Sequence, residues 1–187
     1  MPAAGKSSAV EVGERVFLRP PTARDGDELV KLAKTSRKLH RPWAAPPDSP
    51  EAVADWLVRV RGARHASFLV CRLEDGAVVG VYNLSEVVLG SFRSCYTGYY
   101  AHAGHAGNGY MRDGLELLLR HVFRTLRLHR IEANIQPENN ASVALVRSAG
   151  FRLEGLSKRY LKVGGRWRDH ERWALTVEDW KERGNRV

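Results

Sequence analysis

Residues Ala101-His102-Ala103-Gly104-His105-Ala106-Gly107-Asn108-Gly109-Tyr110-Met111 mark the point where the chain changes its period, and that change decides the fold. The run before it, SCYTGYYAH (94–102), is rich in the aromatic and β-branched residues of a strand. After it, Met111, Leu115, Leu118, Leu119, Val122 and Leu126 recur at helical spacing, which predicts an amphipathic helix of about four turns. Glycines 104, 107 and 109 let the backbone turn sharply and leave its N–H groups uncovered. With the positive end of the helix dipole behind them, those groups form a socket for anionic oxygens. Such loops are often no more than tight turns. A dinucleotide fingerprint is excluded, because Arg112 stands where the third glycine belongs and three antiparallel-type strands come first.

Working outward, SFLVCRLE (67–74) turns at Asp75-Gly76 into VVGVYNLSEVV (78–88), a hairpin that leads into the strand before the loop. Further upstream, RVFLRP (15–20) is a short strand, and two helices follow. The first starts near Arg24, and the second spans about 50–61 behind the proline-rich loop HRPWAAPPDSP. Downstream, RIEANI (130–135) is a β-branched strand and 141–149 a compact helix ended by Gly150. A last hairpin turns at Gly164-Gly165. The order βααβββαβαββ, with one βαβ crossover, predicts a single α/β domain of mixed α+β character. Its sheet should be mixed and mostly antiparallel, about seven strands with helices on both faces. The domain is expected over residues 14–180, with a flexible arm at 1–13 and a tail at 181–187.

A chain of 187 residues with 43% hydrophobic and 27% charged residues is a globular composition, large enough for one core without metal or disulfide staples. No apolar run approaches the roughly 18 residues of a membrane span, and no secretory signal is visible. Two cysteines, Cys71 and Cys95, both in apolar strand-like runs, suit a reducing cytoplasm as buried thiols. His, Cys and acidic residues show no metal-ligand spacing, so no metal is expected. Thirty basic against 21 acidic residues leave a net charge of +9, which attracts anions: nucleic acid, phosphorylated cofactors or an acidic protein face. The arginines are scattered, so a solvated basic surface accounts for the charge equally well.

The loop, together with QPENNASVALVRSAGF (136–151), resembles the GCN5-related N-acetyltransferases (GNAT). In that family a Q/R-x-x-G-x-G/A loop holds the pyrophosphate of acetyl-CoA; here it reads Gly104-His105-Ala106-Gly107-Asn108-Gly109, with glycine in the leading position. LRP (18–20), HRPW (40–43), NLSE (83–86), GYM (109–111), LHRIEAN (128–134), the P-x-N-x-A-S block (137–142) and YLKVGGRWRDHERWAL (160–175) look most like its RimJ type. Those enzymes acetylate the N-terminal alanine of a ribosomal protein. The resemblance implies splayed central strands, with the pantetheine arm pairing beside residues 96–101. It also implies cofactor contacts from Tyr99, Tyr100, Ala101 and His102, from the loop through Tyr110, and from Asn139, Asn140 and Ser142. Trp43 and Asn83 would face the acceptor.

The resemblance makes Ser142 the donor of a proton to the leaving thiolate. Asn139, Asn140 and Ser142 also suit plain helix capping, and the two roles can coexist. Many relatives carry a tyrosine four residues further on; Val146 stands here, which strengthens the case for Ser142. For the base, Glu132 in RIEANI and Glu86 in NLSE are the candidates, each equally readable as an ion-paired strand carboxylate. The glutamate used by RimL-type relatives is replaced by Leu161. A site without a strong base suits an α-amine, of which about 10% is unprotonated at neutral pH, better than a lysine at well under about 0.1%. The expected activity is acetyl transfer by direct attack to the α-amine of a ribosomal or other protein, with transient ribosome or RNA contact, by a monomer or homodimer. The rivals are an acetyltransferase of small amines (polyamine, amino sugar or antibiotic) and a non-catalytic CoA- or RNA-binding domain.

Overall fold

A computed structural model describes residues 6–184 of the chain. Eight strands among the described residues form one sheet: β1 (Glu11–Val12), β2 (Val16–Arg19), β3 (Ala66–Arg72), β4 (Val78–Val88), β5 (Ser94–Ala101), β6 (Arg130–Ile135), β7 (Arg152–Val163) and β8 (Arg166–Thr176), ordered β1-β2-β3-β4-β5-β6-β8-β7. Every pairing is antiparallel except β5 with β6. The helices are α1 (Gly26–Thr35), α2 (Arg37–His40), α3 (Pro50–Arg59), α4 (Tyr110–Arg120), α5 (Asn140–Ser148) and α6 (Val177–Gly184).

Helices cover both faces, so the central strands are buried on both sides. Strand β2 shows the consequence: Val16 and Leu18 join Leu115, Leu118, Leu119 and Val122 on one face. Phe17 joins Leu29 of α1 and Val53, Trp56 and Leu57 of α3 on the other. Leu115, Leu118 and Leu119 are fully buried, each contributing about 1.5–3 kcal/mol of apolar burial. Arg19 ends β2 in a buried ion pair with Asp25, which also accepts from the Thr22 N–H (2.6 Å) ahead of α1.

The structure differs from the sequence reading in three places. An eighth strand, β1, lies within the stretch expected to be a loose arm; Arg120 Nε donates to Glu11 Oε2 at 2.6 Å and Arg120 also reaches the Val12 carbonyl. Residues 1–5 of that arm and 185–187 of the expected tail lie outside the described residues. The four-turn helix is α-helical only to Arg120 and continues as a π-turn, His121–Thr125, closed by Leu126 N–H to His121 O at 2.9 Å. A further helix, α6, follows β8, where Trp180 packs on Phe123 and Arg183 pairs with Glu116.

Strands β5 and β6 pair only over Ser94–Tyr96 and Arg130–Glu132. Beyond that they diverge, because β5 runs on to Ala101 alongside β4 while β6 follows β8. Backbone N–H and C=O groups on the open edge of β5 therefore face a gap rather than a neighbour. That gap positions the site.

Candidate functional site

A cavity of about 460 Å³ runs along the open edge of β5, between the loop at 105–109, the first turn of α4 and the start of α5. Tyr99, Tyr100 and Ala101 form one wall and Ala141, Ser142 and Leu145 the opposite one. His40 closes one end: its Nε2 donates to the Ala101 carbonyl at 2.7 Å, and its ring stands edge-on to Tyr100. The long, largely apolar wall suits an extended, mostly apolar arm with polar groups at intervals.

At the mouth, Gly107 and Gly109 adopt left-handed backbone, with φ of 80° and 79°. Neither could take a side chain without strain. The N–H groups of Gly107, Asn108 and Gly109 donate to no described residue. They sit at the positive end of α4, where Asn108 folds back onto the His105 and Ala106 carbonyls and Arg15 fastens the loop through the Asn108 carbonyl. Arg112, exposed and without a hydrogen-bond partner among the described residues, lines the same mouth. This fits the phosphate-bearing end of a coenzyme.

The start of α5 forms the other end. Asn139 caps it, its Oδ1 accepting from the Ser142 N–H at 3.2 Å, while Tyr99 Oη donates to the Ser142 carbonyl at 3.3 Å. Burial holds the Tyr99 phenol up at about 12, so it stays protonated. The Ser142 hydroxyl stands beside the same phenol, whose hydrogen bond to it opposes part of the effect of burial. Trp43, Tyr99, Asn139 and Ser142 also line a second, smaller cavity of about 150 Å³ in the wedge between β5 and β6. The two cavities meet at those four residues and Ala44.

On the far side of Tyr99 and Tyr100 lies an open cleft of about 780 Å³. Asn83 lines it, its carbonyl oxygen accepting from Trp56 Nε1 (3.2 Å) and Ser67 Oγ (2.6 Å). An adjoining pocket between the 41–48 loop and the β7–β8 turn is rimmed by Arg37, Arg41, Arg166 and Arg168, with Asp48 ion-paired to Arg37.

The structure thus gathers Tyr99, Tyr100, Ala101, His105, Ala106, Gly107, Gly109, Tyr110, Asn139, Ser142 and Trp43 around one cavity. Gly104, Asn108 and Asn140 are exposed beside it rather than in its wall. His102 turns inward: its ring is fully buried, neither nitrogen has a polar partner, and burial, with His40 and His105 nearby, pushes it down to about 3. A neutral buried ring cannot meet phosphate, so its place is structural. Glu132 pairs with Arg130 at the closed end of the wedge, and Glu86 pairs with exposed Arg64 at the far end of β4. Neither lines the cavities described above. His40, Met111, Leu145 and Arg112 line the main cavity unforeseen, their positions set by packing rather than by a motif. Among the described residues no cluster of His, Cys, Asp or Glu could hold a metal, and no helix is long and apolar enough to cross a membrane.

Comparison with known proteins places these features in context. Residues 15–152 match the model of the acetyltransferase (GNAT) domain. The chain is 33% identical over 175 residues to the [ribosomal protein uS5]-alanine N-acetyltransferase of Escherichia coli, covering 89% of this chain and 90% of that protein. Among solved structures, RimJ of Mycobacterium smegmatis in complex with CoA-disulfide superposes with a TM-score of 0.81 at 33% identity, over 88% of this chain and 83% of that one. A spermidine/spermine N-acetyltransferase from Vibrio cholerae shares the fold at a TM-score of 0.75 and 21% identity, over 90% of this chain and 98% of that one.

Proposed function

The chain belongs to the acetyltransferase (GNAT) family and is an N-acetyltransferase, and from that premise we propose that it acetylates the N-terminal α-amine of a protein, a ribosomal protein being the leading candidate. One observation carries the reading. The long cavity suited to a coenzyme arm and the small wedge meet at Trp43, Ala44, Tyr99, Asn139 and Ser142, so a donor in one faces an acceptor in the other. The extended similarity to an alanine N-acetyltransferase of a ribosomal protein supports the choice of acceptor. The arginine rim formed by Arg37, Arg41, Arg166 and Arg168 disfavours a polycation such as spermidine, which a site of this sign repels.

Acetyl-CoA supplies the activated acyl group as a thioester. The N–H groups of Gly107, Asn108 and Gly109 hold its phosphates, with Arg112 beside them, and Tyr99 and Tyr100 wall its arm. Backbone N–H groups on the open edge of β5 polarise the acyl carbonyl, worth about 3–4 kcal/mol of barrier for one well-aimed donor. Ser142, whose own N–H is held by Asn139, protonates the departing sulfur through its hydroxyl. Trp43 faces the acceptor in the wedge, whereas Asn83 lines the separate cleft beyond Tyr99 and Tyr100, and neither buried cysteine takes part.

The test is release of free CoA thiol from acetyl-CoA over a panel of acceptors. It comprises peptides beginning with Ala, Ser or Met, an N-blocked lysine peptide, spermidine and an aminoglycoside. Release confined to the α-amine peptides is expected. Release with spermidine or the aminoglycoside alone would replace the acceptor, and silence with no acetyl-CoA binding would overturn the reading.

A further inference from the structure

The wedge between β5 and β6 mixes apolar walls (Trp43, Ala133, Ile135) with a concentration of polar side chains. Thr97 Oγ1 and Asn134 Oδ1 are buried in it without a hydrogen bond to any described residue, and Gln136, Asn139, Ser142 and His170 add further polar groups. Leaving such atoms dry is costly, so this is a place for a polar occupant, water or amine.

His170 is 3% exposed. Its position follows from register. Asn134 pairs with Arg172 and Ile135 with Glu171, so the next residue of β8 falls just past the end of β6, on the side Asn134 occupies. The ring is held by one contact, Nδ1 to the Arg168 carbonyl at 3.0 Å. A carbonyl can only accept, so in the neutral ring the proton is on Nδ1 and the lone pair on Nε2. Nε2 makes no hydrogen bond with a described residue. Tyr160 stands beside the ring, centroid to centroid 6.4 Å. A buried imidazole with its tautomer fixed by a backbone carbonyl, in the same small cavity as Ser142, is arranged to accept a proton.

We propose that His170 is the general base of the acyl transfer, resting on the reading of the site given above. Nε2 takes a proton from the acceptor ammonium, directly or through a water held by Thr97 and Asn134, leaving a neutral amine and an imidazolium. The amine nitrogen bonds to the thioester carbon, the C–S bond breaks, and the sulfur leaves with the Ser142 proton. The second nitrogen proton passes to solvent, which also reprotonates Ser142 and recovers the proton from His170. One amide, one free thiol and one released proton result.

The test is His170→Asn in the full chain. The Asn amide keeps a donor where Nδ1 stood, so the Arg168 contact survives while Nε2 is lost. The expected result is a kcat lower by about 100-fold or more, with acetyl-CoA affinity unchanged within about twofold. Added imidazole should restore part of the rate to His170→Ala. A His170→Asn enzyme within about threefold of wild type overturns the proposal. Nitrogen-15 NMR of the His170 ring needs no acceptor: a proton on Nδ1 with Nε2 bare supports the assignment, and the opposite tautomer overturns it. Failure of the α-amine peptides with transfer to another amine would correct the acceptor alone, and the variant ratio on that amine would still judge the base.

Discussion

Gly107→Ala is the perturbation that tests the coenzyme loop most sharply, because its cost can be worked from the backbone. At φ of 80° an alanine sits in the left-handed region at about 1–2 kcal/mol, and its Cβ would meet nothing within 4 Å. The cost is therefore conformational only. Gly104, three residues earlier in the same loop, has neither positive φ nor a neighbour within 4 Å of an added Cβ, so Gly104→Ala serves as the matched control. If the loop relaxes, its N–H groups leave the mouth and the strain appears as weaker acetyl-CoA binding, about 5- to 30-fold. If packing holds the loop, the same energy appears as stability, about 2–8 °C in Tm for a chain of this size. Calorimetric titration with acetyl-CoA and a thermal melt of each variant read both. Gly104→Ala should match wild type in the two measurements, and Gly109→Ala, also left-handed and with its Cβ 3.0 Å from the Arg15 guanidinium, should be at least as costly as Gly107→Ala. A Gly104→Ala defect as large as that of Gly107→Ala would refute the argument.

Three further outcomes follow from the same geometry. Ser142→Ala should cut kcat while leaving acetyl-CoA affinity and Tm nearly unchanged, because the Asn139 cap uses the backbone N–H of that position rather than its hydroxyl; unchanged turnover would remove Ser142 from the chemistry. Burial pushes the Asp25 carboxyl up, but hydrogen bonds from Arg19 and Thr22 outweigh it and hold the group below its ordinary value. The stability it contributes is thus present above the unfolded carboxylate range near 3.9 and lost as pH falls through the lower folded value. Asp25→Asn should destabilise by about 3 kcal/mol at neutral pH, with the difference in Tm narrowing below pH 4 or so. Burial lifts the thiols of Cys71 to about 11 and Cys95 to about 12, so a chromogenic disulfide should find neither in the folded protein at neutral pH and both after unfolding.

Much of the architecture was legible because it is written in local period. The switch from SCYTGYYAH to the Met111–Leu126 spacing marks β5 and α4, and RIEANI coincides with β6. What escaped depends on contacts far apart in sequence. Strand β1 is two residues long, too short to show a period of its own; besides its pairing with the neighbouring β2 it is fastened by Arg120, 109 residues away. At the site, the glycines of the loop announce left-handed backbone, but nothing in AHAGH says that His102 turns inward while His105 lines the cavity. Glu132 reads as a candidate base until the β5–β6 pairing puts it at the closed end of the wedge beside Arg130. His170 is hidden for the complementary reason: within RWRDHERW it is one more polar strand residue, and only the register of β6 on β8 brings it to the gap.

The most direct measurement offers one peptide with an N-terminal alanine and an internal lysine to the enzyme with acetyl-CoA, and locates the acetyl group by tandem mass spectrometry. The account predicts one acetyl group, on the α-amine, with the lysine unmodified. Acetyl on the lysine side chain with the α-amine free would contradict it.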